Sequence, residues 1–369
     1  MASVGGVDPA RRIGLIKHVS PSRAAVLLAC RLSEAFQAAD GAPRLPTHPN
    51  AHFGILAHDF LRDASRGYLS KMSEADLRTA WRASVRSYEE FLGRSTDGAA
   101  VLPLTKSCDD FEVNSLRLIK SVEAYVARIP PAAGNMRERQ RVEVEAISRD
   151  GMIAGRLDRI SWENGELVVT DIKTGKIKDA DGGLRRDLRL QIMLYSYLLH
   201  EMFGRWPQTL RVLPLHGEPI EVTALPSEII VLADWIKQAL KEANWFIAEV
   251  LAGRRPESEL ASPSPNACRF CRFRLTCEAY WAARNQDIDQ SWPRDVTGRV
   301  TAIKPLGRGL NMAELMESTG RTLVIRGVPT TAHTAEQYET SIRVCGLKAE
   351  RAAGVYSWCP TSFSVSIPC

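Results

Sequence analysis

The chain has 369 residues, 45% of them hydrophobic and 25% charged, a composition that excludes a disordered or fibrous protein. At roughly 100–200 residues per domain, that length predicts two or three domains. The net charge of +5, from 48 basic and 43 acidic residues, permits a polyanionic partner without demanding one.

In chain order, Ser20-Pro21-Ser22 reads as a helix start, with Ser20 as the cap and Pro21 in the first turn. The predicted helix carries Val26, Leu27, Cys30 and Phe36 toward Ala39. The apolar run Ala24 to Cys30 inside it is too short to span a bilayer. Met1 to Ala10 lacks the features of a secretory leader, so a cytoplasmic location and no membrane partner are expected. Gly41 to Asn50 is a Pro-rich loop, and helical periodicity returns over Phe53–Leu69, Glu74–Leu92 and Phe111–Ile129. Pro130-Pro131 closes this helical section.

Period two then takes over in Val142, Val144 and Ala146, with Glu143 and Glu145 between them. Two further strands are predicted at Met152–Trp162 and Glu166–Lys173, joined by the tight-hairpin signal Asn164-Gly165. Leu184–Phe203 reads as a helix, Leu210–Leu215 and Ile220–Ala224 as strands, and Glu228–Leu251 as a long helix. A Ser/Pro link at residues 262–265 leads into a cysteine cluster, and Trp292-Pro293 marks a boundary. Beyond it, Val296–Ile303, Arg321–Val328, Ser341–Leu347 and Ser362–Ile367 read as short strands. The tail from 291 holds nine basic and six acidic residues, and a small β-barrel of the oligonucleotide-binding type is one reading of it. The pattern is α/β, with a helical region at 1–130, a mixed core at 131–290 and a β-rich region at 291–369.

Two constellations carry chemistry. The first is Cys268-Arg-Phe-Cys271-Arg-Phe-Arg-Leu-Thr-Cys277, a C-x-x-C-x5-C spacing that brings three thiolates to one metal centre. In a reducing compartment, eight cysteines are not expected as disulfides. A closed centre needs a distant fourth ligand; Zn²⁺ and an iron–sulfur cluster both suit thiolates. Cys108, Cys345, Cys359 and Cys369 have no ligand-like spacing. Arg269, Phe270, Arg272, Phe273 and Arg274 offer guanidinium and aromatic groups to a single strand, or equally plain packing.

The second is Gly155-Arg-Leu-Asp158-Arg159 on one predicted strand and Asp171-Ile172-Lys173 on the next. An antiparallel hairpin lets Asp158 approach Asp171. Two facing carboxylates repel unless a cation lies between them, and Mg²⁺ suits such a pair. Asp171 and Lys173, two apart on a strand, share a side, which sets an ammonium beside the metal and its water, where it can orient or activate that water and stabilise developing charge. Gln191 and Tyr195 share one helical face. Arg185, Arg186 and Arg189 precede them and can clamp phosphates, or form a solvated face. Glu143 or Glu145 is a candidate acid behind the pair, and alternation does not choose between them.

Taken in order, His58, the G-x-x-D-R run, D-x-K and Gln191-Ile-Met-Leu-Tyr195 resemble the RecB-like branch of the PD-(D/E)xK nucleases. Ser20-Pro-Ser-Arg23 with Cys30, then Cys268, Cys271 and Cys277, resembles its iron–sulfur members: the AddB nuclease domain, exonuclease V and CRISPR-associated exonucleases. The likeness spans about Val19 to Tyr280, and departs from the family in placing Arg31, not proline, after Cys30. It implies a restriction-endonuclease-like mixed sheet flanked by helices. It implies Mg²⁺ or Mn²⁺ held by His58, Asp158, Asp171 and the Ile172 carbonyl, with Lys173, Gln191 and Tyr195 completing the catalytic group. It implies a 4Fe–4S cluster on Cys30, Cys268, Cys271 and Cys277. The implied activity is hydrolysis of DNA, most simply of single strands from an end, in repair, recombination or defence. The alternatives are a catalytically silent DNA-binding scaffold and an accessory subunit. No G-x-x-x-x-G-K-[ST] loop occurs, so any helicase, or a CRISPR or other defence partner, is a separate chain.

Overall fold

A computed structural model describes residues 12–39, 44–127, 140–215, 217–286, 291–330, 332 and 339–367. The N-terminal helical start is a short 3-10 turn, Pro21–Arg23, followed by α1 (Ala24–Ala29) and α2 (Arg31–Ala38). The single helix expected here is thus two. Cys30 breaks it, with extended backbone at φ −160° and ψ 106°. Pro21 takes the first position as expected, but Ser20 makes no capping bond; its hydroxyl lies 3.1 Å from that of Ser22.

The next helix, α3, spans Pro49–Ser65, four residues earlier at each end than the periodicity predicts. Pro49 suits the first turn, and the His48 ring accepts the Asn50 N–H at 3.2 Å. Glu74–Leu92 forms α4 with the expected bounds, held at its start by reciprocal Ser73 and Asp76 bonds. Phe111–Ala127 forms α5; Pro130-Pro131 lies outside the described residues. These three helices share a core in which Phe53 and Phe60 meet Trp81 edge-on, and Phe53 meets Phe111 likewise.

The central sheet has strands β1 (Gln140–Ile147), β2 (Ala154–Glu163), β3 (Glu166–Lys173), β4 (Thr209–Pro214) and β5 (Ile220–Val222), in that order. β1, β2 and β3 run as an antiparallel meander, and β4 joins β3 in parallel. Asn164 and Gly165 close the β2–β3 hairpin at φ +53° and +84°, the geometry that a two-residue turn of this kind requires. β3 is buried without interruption from Leu167 to Asp171, as a strand flanked on both sides should be.

Between β3 and β4 comes α6 (Arg186–Phe203), which packs on β1, β3 and β4 and is covered by α7 (Pro226–Leu251). Residues 191–199 of α6 are all buried, so this helix lies inside the domain. Together these elements form a restriction-endonuclease-like α/β core. Among the described residues, no helix is long and apolar enough to cross a membrane.

After the cysteine segment, α8 (Glu278–Gln286) leads to a seven-stranded sheet. Its strands are β6 (Val296–Gly307), β7 (Leu310–Met316), β8 (Thr322–Pro329), β9 (Ser341–Cys345), β10 (Lys348–Ala349), β11 (Val355–Ser357) and β12 (Phe363–Ser366). They run in the order β10-β11-β8-β7-β6-β9-β12. The expected β-rich region is present, with β7, β10 and β11 in addition to the four anticipated strands.

The sheet is joined to the cysteine segment through Asp295, which is fully buried. Its carboxylate accepts from Arg274 Nε at 2.6 Å, the Tyr280 hydroxyl at 2.8 Å and the Gly346 N–H at 2.8 Å. Arg343 of β9 adds a paired bond to Glu278, both contacts at 2.6 Å. Burial opposes the charge on Arg274, but Asp295 holds it as a cation above the usual guanidinium range.

Candidate active site and cysteine centre

The hairpin register determines the carboxylate geometry. Arg159 pairs with Thr170, so Asp158 and Asp171 stand together where the ladder ends. Asp158 Oδ2 accepts the Ile172 N–H at 2.7 Å, which orients the carboxylate toward its partner strand. His58, in the middle of α3 rather than at its head, places Nδ1 3.6 Å from Asp158 Oδ1. Lys173 Nζ lies 3.0 Å from Asp171 Oδ1 and 2.8 Å from Oδ2. Gln191 Nε2 donates to Asp171 Oδ1 at 3.1 Å and to the Tyr195 hydroxyl at 3.2 Å. The helix α6 thus brings its polar pair onto the end of β3. All seven sequence-predicted residues, Ile172 included, meet at one place.

Burial dominates the electrostatics. It pushes the carboxyls of Asp158 and Asp171 up to about 6 from the ordinary 3.8, against the pull of Lys173. Burial and Lys173 lower the imidazole of His58, and burial beside Asp171 raises the Tyr195 phenol. The ionised pair is costly unless a cation joins it. Asp171 Oδ2 is buried, and the Lys173 ammonium at 2.8 Å is its partner there. Two buried carboxylates that share one lysine and face an imidazole fit a divalent cation. Among the described residues, no three His, Cys, Asp or Glu side chains already stand at ligand spacing. The donors converge but do not form a closed cage, as is usual for Mg²⁺, which keeps several waters.

Alternation left Glu143 and Glu145 equal; the structure separates them. Glu145 is exposed, whereas Glu143 is largely buried and pairs with Arg156 at 2.8 Å. Glu143 adopts φ +55°, unusual for a residue with a side chain, at the register position opposite Asp158. Its negative charge acts on both Asp158 and His58.

Two glycines hold the site together, and motif reading alone does not show why. A Cβ on Gly155 would stand 2.7 Å from the Pro21 ring and 3.5 Å from Tyr195. The glycine of G-x-x-D-R is therefore where the N-terminal turn docks on β2. Gly155→Ala should lower stability by about 1–3 kcal/mol, the usual cost of an overpacked site; thermal melting checks it. On α3, a Cβ at Gly54 would come within 3.2 Å of Thr174 Oγ1. That close approach brings His58 up to Asp158.

Cys30, Cys268, Cys271 and Cys277 line one cavity, and all four are free thiols. The Cys30 break between α1 and α2 turns its backbone out of the helix at this point. Burial raises the thiols of Cys268 to about 11 and Cys277 to about 12, and raises Cys271 as well. As thiolates they are costly unpaired, and among the described residues no three of them stand at metal-ligand spacing. Cys108 and Cys359 instead point at the carbonyls of Pro49 and Gly346. Cys345 is fully buried at the Asp295 junction, and Cys369 lies outside the described residues.

The basic and aromatic run does not behave as a stacking surface. Phe273 is buried against Phe36, with ring centroids 5.5 Å apart, and cannot stack on a base. Arg274 is consumed by Asp295, and Arg272 donates to the Leu45 carbonyl at 2.9 Å. Only Arg269 and Phe270 of this run are exposed, the guanidinium lying 5.3 Å from the ring centroid. On α6, Arg185 pairs with Asp187 at 2.5 Å, and Arg189 donates to the Thr223 carbonyl at 2.9 Å. Arg186 is exposed.

The family model of the PD-(D/E)XK nuclease superfamily matches residues 18–278, well over half of the chain. The protein belongs to that superfamily. Its members are phosphodiester hydrolases that typically use Mg²⁺ or Mn²⁺, so nuclease activity on nucleic acid is the function its membership supports. Comparison with curated proteins finds no significant match.

Proposed function

We propose that this chain is a RecB-like deoxyribonuclease that digests single-stranded DNA from an end, in repair, recombination or defence. The observation that carries the reading is the pair Asp158 and Asp171, buried and facing each other at the β2–β3 ladder end with Lys173 2.8 Å from Asp171 Oδ2. His58, Asp158, Asp171 and the Ile172 carbonyl would hold Mg²⁺ or Mn²⁺. Such an ion, when bound, polarises the phosphoryl group and offsets the negative charge that develops on it. Lys173, held against Asp171, donates to a non-bridging phosphate oxygen. Gln191 fixes Asp171 through Oδ1, and its bond to Tyr195 keeps the phenol pointing at the same place. Glu143 keeps negative potential behind Asp158 and His58.

In this reading residues 1–130 wall the path of the strand, 131–290 cut it, and 291–369 add a further contact surface. Cys30, Cys268, Cys271 and Cys277 would hold a 4Fe–4S cluster that ties the N-terminal helices to the core; zinc is the competing occupant. End-labelled single-stranded DNA tests the function. Purified protein should shorten it progressively with Mn²⁺ or Mg²⁺ and leave it whole in chelator. Binding without any cleavage in either metal would favour the silent scaffold instead.

A further inference from the structure

The region beyond the superfamily match contains a cleft that the nuclease site does not use. It has a volume of about 790 Å³ and lies between α8 and the turns that connect β7 to β8 and β10 to β11. Four guanidinium groups line it, from Arg284, Arg294, Arg321 and Arg351, against the two carboxylates of Glu317 and Glu350. Arg284 is committed to the Asp295 carbonyl. Arg294, Arg321 and Arg351 are exposed, and none has a carboxylate at ion-pair distance among the described residues. Elsewhere at this junction the arginines are neutralised, Arg274 by Asp295 and Arg343 by Glu278. Glu350 is already occupied by the Ser357 hydroxyl.

The walls are aromatic. Trp292 and Tyr356 both line the cleft. Trp292 is 7% exposed and braced edge-on by Tyr280, yet its indole N–H has no acceptor. Arg321 lies against the β10–β11 turn, where a Cβ on Gly354 would stand 3.2 Å from its Nη2. A surplus of unpaired guanidinium groups with the half-buried Tyr356 on the wall suits a chain of phosphates carrying flat bases.

We propose that this cleft is a second binding site for a single strand of DNA, holding the part of the strand outside the cleavage site. The proposal rests on the nuclease reading above and goes beyond it by assigning the C-terminal sheet a ligand. The Asp295 junction fixes the cleft to the cysteine segment, so a strand held here is held relative to the core.

The test is the variant R294Q/R321Q/R351Q of the full chain, with melting temperature as the folding control. Binding of a labelled strand of about 40 nucleotides is measured in chelator across a salt series. Three lost phosphate contacts at about 0.7 each should reduce the slope of log affinity against log salt by roughly 2. Affinity should fall at least about tenfold at low salt. A strand of about 6 nucleotides, near the lower limit for one such site, should be cut equally by wild type and variant. Unchanged slope and affinity in a variant that still cuts would overturn the second site alone. A wild type that neither binds nor cuts DNA would overturn this proposal together with the nuclease reading.

Discussion

Replacing Lys173 with alanine should reduce DNA cleavage by at least about 100-fold, the range seen when one aimed donor is removed from a developing charge. The side chain contacts only Asp171 among the groups of the site, and it is partly open to solvent. Its loss therefore spares the hydrophobic core and removes one specific cation. Without a metal, Asp171 would then stand buried beside Asp158 with no counter-charge, so the variant should melt lower than wild type in chelator. A divalent ion should recover much of that difference. An ion at about 100 times its Kd stabilises by about 2.7 kcal/mol, as any ligand of the folded state does. Thermal melting with and without Mn²⁺ therefore separates a damaged fold from a damaged site. Cleavage at the wild-type rate would remove Lys173 from the mechanism. Melting that is indifferent to Mn²⁺ in wild type would remove the ion from the Asp158–Asp171 pair.

The parts of this arrangement that were legible in the sequence are those set by local chemistry. Asn164-Gly165 permits one kind of turn, the turn sets the register, and the register brings Asp158 to Asp171. Gln191 and Tyr195 are one helical turn apart, so their pairing follows from the helix alone. What was not legible depends on distant partners. Cys30 continues the apolar spacing of Val26 and Leu27, so periodicity runs the helix through it; only the structure shows the break that turns it to the cavity. Glu143 and Glu145 are equal by alternation, and the positive φ that distinguishes Glu143 has no sequence signature. Phe273 and Arg274 read as a basic, aromatic surface because their partners are remote: Phe36 lies in the N-terminal helices, and Asp295 lies past the boundary at Trp292. A short run of alternating arginine and phenylalanine can equally face solvent or join three parts of a chain. Here it joins them.

That joining gives the second large effect. If the four thiols hold the proposed 4Fe–4S cluster, Cys268→Ala should abolish its visible absorbance and at the same time lower stability sharply. A centre shared by Cys30 and Cys268 closes a loop of 238 residues, and by the loop-closure argument for cross-links this contributes about 5 kcal/mol. That is comparable to the whole net stability of an ordinary domain. The packing around the thiols cannot replace it. Cys271 meets Ser33 at 3.8 Å and the Phe273 backbone, and the remaining lining is apolar side chains with Tyr280 and the Asp295-paired Arg274. Without the centre, α1 and α2 would be held to the cysteine segment chiefly by Phe36 on Phe273, and Pro21 would press less firmly on Gly155. The site should then suffer at a distance, because the Pro21 turn and Tyr195 both stand over Gly155. Cys108→Ser provides the control: that thiol lies away from the four-thiol cavity, against the Pro49 carbonyl at 3.2 Å, and the change should cost about 1 kcal/mol and leave the colour intact. The measurements are absorbance, iron and zinc content, and melting of protein purified without oxygen. A colourless wild type, or one holding zinc alone, would rule out the iron–sulfur assignment while leaving the four-thiol staple to be judged by the melting of Cys268→Ala.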